Sequence, residues 1–356
     1  MADVFTHPWL GGLFGDSETE ALLSAEATLK RLLAVEAAYS RALGVVGVVD
    51  KNTANETAEH ILQFSPDMAE LHRGAAEDGV VVPALVTALR TDLPQRCEKA
   101  LHIGLTSQDV IDTATVMMFK QVCDLFSKRL EAVTGTLAAL NEIHGNRWIM
   151  GRTRMQAALP IAVSDRLSIW TRPLTELLER LHQQQACLFR LQLGGPVGTR
   201  DSIGANANEI ADQMADELGL INSGVCWHTN RSAFADFANW LSLVTGALGK
   251  IGQDVALMTQ QGVDEMRLSG GGRSSAMPHK QNPILAELLV TLARYNATLV
   301  SGMHHAVVHE QERSGTAWTL EWIILPQQIM TTGRALVASN TFLEQIETIG
   351  SDAPIA

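Results

Sequence analysis

From Phe234 to Met258 the apolar residues Phe234, Phe237, Leu241, Val244, Leu248, Ile251, Val255 and Met258 alternate in steps of three and four. A period of 3.5 residues places all of them on one stripe of an α-helix about 37 Å long. A stripe of that length needs partner helices along all of it, because most helical stability comes from packing. Gly246, Gly249 and Gly252 weaken this helix intrinsically. Residues so small predict a neighbouring backbone close by. A second stripe runs through Leu288, Leu292, Tyr295 and Leu299. A third long segment, residues 164–193, carries Pro173, which predicts a helix start or a kink there.

The N-terminal third is helical in shorter pieces. Ser17-Glu18-Thr19-Glu20 reads as a capping box. Leu22, Leu29, Leu32 and Leu33 follow at helical spacing. Val80 to Val82 suit an extended stretch, but one short run makes no sheet. Gly194-Gly195-Pro196-Val197-Gly198 and Ser269-Gly270-Gly271-Gly272-Arg273-Ser274-Ser275 break the helical pattern. The expected fold is all-α. It comprises an N-terminal helical domain over 1–111, a long-helix bundle over 112–345 and a short tail over 346–356.

Composition narrows the partners. The 356 residues are 46% hydrophobic, enough for a large core. Lys plus Arg number 27 against 39 Asp plus Glu, a net charge of −12. A field of that sign repels nucleic acid and anionic membrane, so neither is expected as a partner. Cys97, Cys123, Cys187 and Cys226 are scattered, which suits neither a zinc site nor a disulfide framework. Four buried thiols in a reducing compartment are expected instead. No run of about 18 apolar residues and no signal-peptide pattern are found, so a cytoplasmic protein without a membrane span is expected. Gly249-Lys250 lacks the earlier glycine of a phosphate loop, and no GxGxxG unit follows a strand. His304, His305 and His309 invite a metal reading because 305 and 309 would share a helix face, but no HExxH accompanies them. No metal and no cofactor are expected.

Three segments are polar where a bundle helix should be bland. They are His102-Ile103-Gly104-Leu105-Thr106-Ser107-Gln108-Asp109, Gly151-Arg152-Thr153-Arg154-Met155-Gln156, and the loop GGGRSSAMPHKQNP from Gly270 to Pro283. In the first, Thr106 or Ser107 caps a helix starting near Val110, and a capped helix N-terminus with hydroxyls attracts anions. The third joins glycine freedom to Ser274, Ser275, Lys280 and Asn282.

The loop GGGRSSAMPHKQNP resembles the signature loop of the fumarase/aspartase superfamily, and TSQD and GRTRMQAALP resemble its other two shared segments. Within it, HIGLTSQDVIDT (102–113), LGGPVGT (193–199), CWHTNR (226–231) and EQERSGTAWTLEWIILP (310–326) resemble the bacterial 3-carboxy-cis,cis-muconate cycloisomerases. Adenylosuccinate lyases are the nearest rivals, sharing the SSAMPHK form of the loop.

The resemblance implies a homotetramer that pools its long helices and builds each active site from three subunits. It implies a small di- or tricarboxylate substrate and a lactone-forming reaction. Ser274 matches the superfamily's catalytic serine. Lys280 and Asn282 match residues binding the carboxylate beside the reacting carbon. Thr106 and Ser107 match the hydroxyl anion site, Gln156 and Arg313 match substrate contacts, and Ser275 neighbours the serine. His102 is an alternative proton donor. Glu287 matches a residue that orients a histidine, yet that histidine is replaced by Arg154. Amine- or hydroxyl-releasing members use it to protonate the departing group. A carboxylate, with a pKa of about 4, leaves without a proton. Arg154 would instead hold the nucleophilic carboxylate, and Gln311 stands where the adenylosuccinate lyases have His. A β-eliminating lyase and a non-catalytic protein of the same fold are the alternatives. The resemblance further implies a small C-terminal helical domain, with 346–356 as its remnant.

Overall fold

The structure, a computed structural model, describes residues 3–277 and 280–354. Its N-terminal third holds α1 (Gly11–Phe14), α2 (Ser17–Leu23), α3 (Ala25–Val45), α4 (Lys51–Gln63), α5 (Met68–Asp78) and α6 (Val82–Asp92). The cap of α2 is Asp16 rather than Ser17: its carboxylate accepts from the Thr19 amide and, at 2.6 Å, from the Thr19 hydroxyl. Asp16 also pairs with Arg129, which explains why the carboxylate wins over the serine. The valines are not extended, since Val82 opens α6 with Pro83 in its first turn. Proline is tolerated there because that N–H has no helical partner anyway.

A 3₁₀ turn, Gln95–Ala100, leads into α7 (Ser107–His144), whose 38 residues span about 57 Å. The hairpin β1 (Trp148–Thr153) and β2 (Gln156–Ala162) follows, then α8 (Val163–Leu188), α9 (Ala207–Leu218) and α10 (Ser232–Met258). After β3 (Met266–Leu268), β4 (Gly272–Arg273) and β5 (Gln281–Asn282) come α11 (Ile284–His305), α12 (Thr316–Glu344) and β6 (Ile346–Ile349). α7, α8, α10, α11 and α12 run up and down as one bundle. The three small sheets, β1–β2, β3–β6 and β4–β5, gather at one end of it.

The stripe on α10 is the centre of that bundle, and all eight of its apolar residues are buried. α11 lies close against it. A Cβ on Gly249 would stand 2.5 Å from the Ala293 Cβ, and one on Gly252 would stand 2.5 Å from the Ala286 carbonyl oxygen. Gly246 faces open space and is not part of that contact. On α11, Leu288 and Leu292 are buried, while Tyr295 is exposed and hydrogen-bonds Gln327. Pro173 lies inside α8, so the helix neither starts nor stops there.

By length and composition alone α11 is long and apolar enough to span a membrane, although polar residues interrupt its apolar run. In the fold it is a bundle helix, and its buried Asn296 amide donates to the Leu241 carbonyl and the Thr332 hydroxyl. One contiguous core links α3 through to β6. The tail read as a domain remnant contributes strand β6, which pairs with β3, and Ser351, which bridges to Trp148.

Two side-chain expectations change. Cys97 and Cys123 are buried, but Cys187 is exposed and Cys226 partly so. α11 ends at His305, so His305 and His309 do not share a helix face. No three-residue metal-ligating cluster occurs among the described residues.

Candidate active site

The first polar segment sits at the N-terminus of α7. The helix starts at Ser107, three residues before the expected Val110, because Asp109 closes a capping box on Thr106. Asp109 does more than cap. Its carboxylate accepts from the amides of Thr106 (3.2 Å), Gly194 (2.8 Å) and Gly195 (2.9 Å) and lies 2.9 Å from His228 Nε2. Burial alone would push the His228 imidazole down, but Asp109 and the adjacent Cys226 outweigh it and raise it to about 9.

A second buried layer lies beneath. Arg231 binds both oxygens of Asp112 (2.7 and 3.1 Å) and both of Glu321 (2.8 and 2.6 Å). The Trp318 indole N–H donates to Asp112 at 3.0 Å, and the Arg231 guanidinium lies 4.2 Å from the Phe234 ring centroid. Burial disfavours the guanidinium charge, yet the two carboxylates hold its pKa above the usual arginine value. These residues fix α7, α10 and α12 to one another at this end.

Around them stand the candidate residues of this end. His102 adopts φ 55° and its Nδ1 lies 2.6 Å from a Glu36 oxygen. Gly104, at φ 71°, lets the chain pass so close to Ser202 that a Cβ would meet the Ser202 carbonyl oxygen at 2.2 Å. Arg313 donates to the Pro196 carbonyl at 2.7 Å. Pro196 follows Gly195, which Asp109 binds, so Arg313 is tied through this loop to the Thr106 cap.

The other two polar segments lie at the far end of the bundle. Arg154 and Met155 form the tip of the β1–β2 hairpin with φ of 50° and 67°. Two successive positive φ values suit glycine or asparagine and are strained in other residues. Gln156 pairs with Thr153 directly below the tip. Arg152 is drawn down to Glu265, 2.6 Å away, which also accepts from the Met150 amide. A cavity of about 900 Å³ lies beside the hairpin, lined by Arg152, Arg154, Arg166 and Lys250 among others.

In the signature loop, Gly272 and Arg273 pair with Asn282 and Gln281, closing a small hairpin. At its turn the Ser274 Oγ accepts from the amides of Met277 (3.1 Å) and Ala276 (3.3 Å). Two donors aimed at a hydroxyl oxygen favour negative charge on it. Ser275 and Lys280 are exposed, and Glu287 is exposed in the first turn of α11. Pro278 and His279 of the motif lie outside the described residues.

One chain therefore divides the candidates into two groups. His102, Thr106, Ser107 and Arg313 stand at one end. Arg154, Gln156, Ser274, Ser275, Lys280, Asn282 and Glu287 stand at the other, with the length of α7 between them. The scaffold of the first group, Asp109, Asp112, His228, Arg231 and Glu321, escaped the sequence reading. Its traces were Asp109 three residues after Thr106 and a His and an Arg within the CWHTNR segment.

The family model described as "Lyase" matches residues 7–296. A 3-carboxy-cis,cis-muconate cycloisomerase of Pseudomonas aeruginosa is 33% identical over 98% of this chain and 77% of its own length. An N-acetyl-S-(2-succino)cysteine lyase of Enterococcus italicus is 30% identical over 88% of this chain and 70% of its own. The crystal structure of a 3-carboxy-cis,cis-muconate lactonizing enzyme from Pseudomonas putida superposes with a TM-score of 0.89 at 30% identity, covering 96% of this chain and 77% of that one. With motif, fold and sequence in agreement, the chain belongs to the lyase family of the fumarase/aspartase superfamily.

Proposed function

We propose that the protein is a cycloisomerase that closes 3-carboxy-cis,cis-muconate to 4-carboxymuconolactone, a step in aromatic acid breakdown. One substrate carboxylate adds to a conjugated double bond, forming the ring C–O bond. The displaced π electrons pass to the neighbouring carbon, which then takes a proton. The species between is an enolate-like aci-carboxylate with extra negative charge. Stabilising that charge is the main catalytic task.

The observation that carries this reading is the Ser274 oxygen, which receives two backbone amides inside the signature loop. Ordinary serine is a poor acid and base, and such donors bring its alkoxide within reach. Ser274 then exchanges the carbon-bound proton, with His102 as the alternative donor. Lys280 and Asn282 hold the carboxylate beside that carbon. Arg154 holds the attacking carboxylate through its planar fork. Thr106, Ser107, Gln156 and Arg313 bind the remaining anionic groups. Similarity to relatives named as cycloisomerases and lactonizing enzymes supports the reaction class.

Because one chain separates the two groups of residues, the site is completed between copies of the protein in a homotetramer. Apolar side chains left exposed on the bundle, Ile169, Leu243 and Ile323, supply faces for that assembly. Unpaired Cys97, Cys123, Cys187 and Cys226 suit a cytoplasmic setting. The second reading, β-elimination, is favoured by the relative named as a succinocysteine lyase. Ultraviolet absorbance decides between them. Purified protein consumes the diene band of 3-carboxymuconate under the first reading. Under the second it leaves that band and releases fumarate from a succinyl thioether or adenylosuccinate.

A further inference from the structure

Behind the Thr106 end of the bundle, a partly exposed thiol and a buried guanidinium line one small polar cavity, and a buried imidazole lies against the thiol. Cys226 is partly exposed and lines a space of about 490 Å³ together with Thr199, Arg200, Asp201 and Asn208. Its Sγ and the His228 ring meet over Gly194, where an added Cβ would stand 2.5 Å from the sulfur and 2.9 Å from Cε1. His228 is 2% exposed; Asp109 holds its Nε2, and its Nδ1 has no hydrogen-bond partner among the described residues.

Arg200 is 7% exposed and adopts φ 64°. It binds only neutral acceptors: the Leu193 carbonyl (2.8 Å), Asn208 (2.6 Å) and Asn222 (3.4 Å). Among the described residues it has no carboxylate within ion-pair distance, which is rare for a buried arginine. The acidic groups nearby are already engaged or open to water. Asp109 is saturated by four donors, Asp212 accepts from Asn222 at 2.7 Å, and Asp201 is exposed.

We infer that Cys226 is a modification site whose cavity selects small electrophiles bearing a carboxylate. Arg200 attracts the carboxylate while the sulfur attacks the adjacent carbon. Thiol reactivity of this kind arises in electropositive, partly exposed surroundings.

The test uses iodoacetate and iodoacetamide, which differ in the carboxylate. In either reaction the sulfur forms a bond to the methylene carbon, iodide leaves with the C–I pair, and the thiol proton goes to solvent. Labelling of the native protein is followed by peptide mass spectrometry, with an end-blocked cysteine peptide as reference. The inference predicts an iodoacetate-to-iodoacetamide rate ratio at Cys226 about tenfold or more above the reference. Arg200→Gln should bring the ratio back to the reference value while iodoacetamide still labels Cys226. Should Arg200→Gln fail to fold, the ratio in the wild-type protein decides alone. A ratio equal to the reference, or a Cys226 that neither reagent labels while exposed Cys187 reacts, overturns the inference.

Discussion

Thr106 and Arg154 stand at opposite ends of the bundle, the first capping α7 and the second at the tip of the hairpin that follows it. α7 alone spans about 57 Å, so the two cannot touch one substrate within a single chain. Each end is nonetheless built with care. Asp109 gathers the loops behind Thr106, and Arg154 is held in a strained conformation.

That strain separates stability from function at Arg154. Glycine accepts φ of 50° without penalty, so Arg154→Gly should leave the fold intact or stabilise it by about 1 kcal/mol. The same change removes the proposed grip on the attacking carboxylate and should lower kcat/KM by about 100-fold or more. Arg154→His should also keep the fold and lose activity. Urea denaturation and steady-state kinetics on the same samples check both halves; unchanged kinetics would remove Arg154 from the site.

The helix contact at α10 and α11 makes a graded prediction. Gly249→Ala and Gly252→Ala place a methyl group within 2.5 Å of α11 atoms and should each destabilise the protein by about 1–3 kcal/mol. Gly246→Ala meets nothing and should stabilise the helix by up to about 1 kcal/mol. Thermal melts of the three variants show whether the order holds.

His228 gives a pH dependence with a definite sign. Its pKa rises from 6.5 in the unfolded chain to about 9 in the fold. The folded state therefore holds the proton more tightly. Its contribution is complete below pH 6.5 and is lost as pH rises through 9. The shift corresponds to roughly 3 kcal/mol. Urea midpoints at pH 6.5 and 9.5 should fall between the two for the wild-type protein, and by clearly less for His228→Gln. Equal falls in both proteins would show that another group carries the dependence.

The sequence and the fold agree most where a pattern has one physical solution. Eight apolar residues at a 3.5-residue period can only be a packed helix, and α10 buries all eight. The glycines at 249 and 252 forecast the close approach of α11 for the same reason. Local competitions were harder to read. Asp16 displaced Ser17 as a cap because Arg129, 113 residues away, rewards the carboxylate. The buried Asp112–Arg231–Glu321 group was invisible because its members come from three separated stretches and only the fold joins them. Motif residues such as Ser274, Lys280 and Arg154 were legible as types, but the amides that donate to the Ser274 oxygen appear only in the folded loop.

The claim that copies of the chain share each site is tested most directly by mixing two damaged proteins. Thr106→Val removes a residue at one end of the bundle and Ser274→Ala one at the other. Each alone should turn over 3-carboxymuconate at least about 100-fold more slowly than the wild-type protein. Unfolded together and refolded as mixed tetramers, they should regain about a quarter of wild-type activity, the share of sites drawing both intact residues from different copies. A mixture that stays as inactive as its parents would contradict the account.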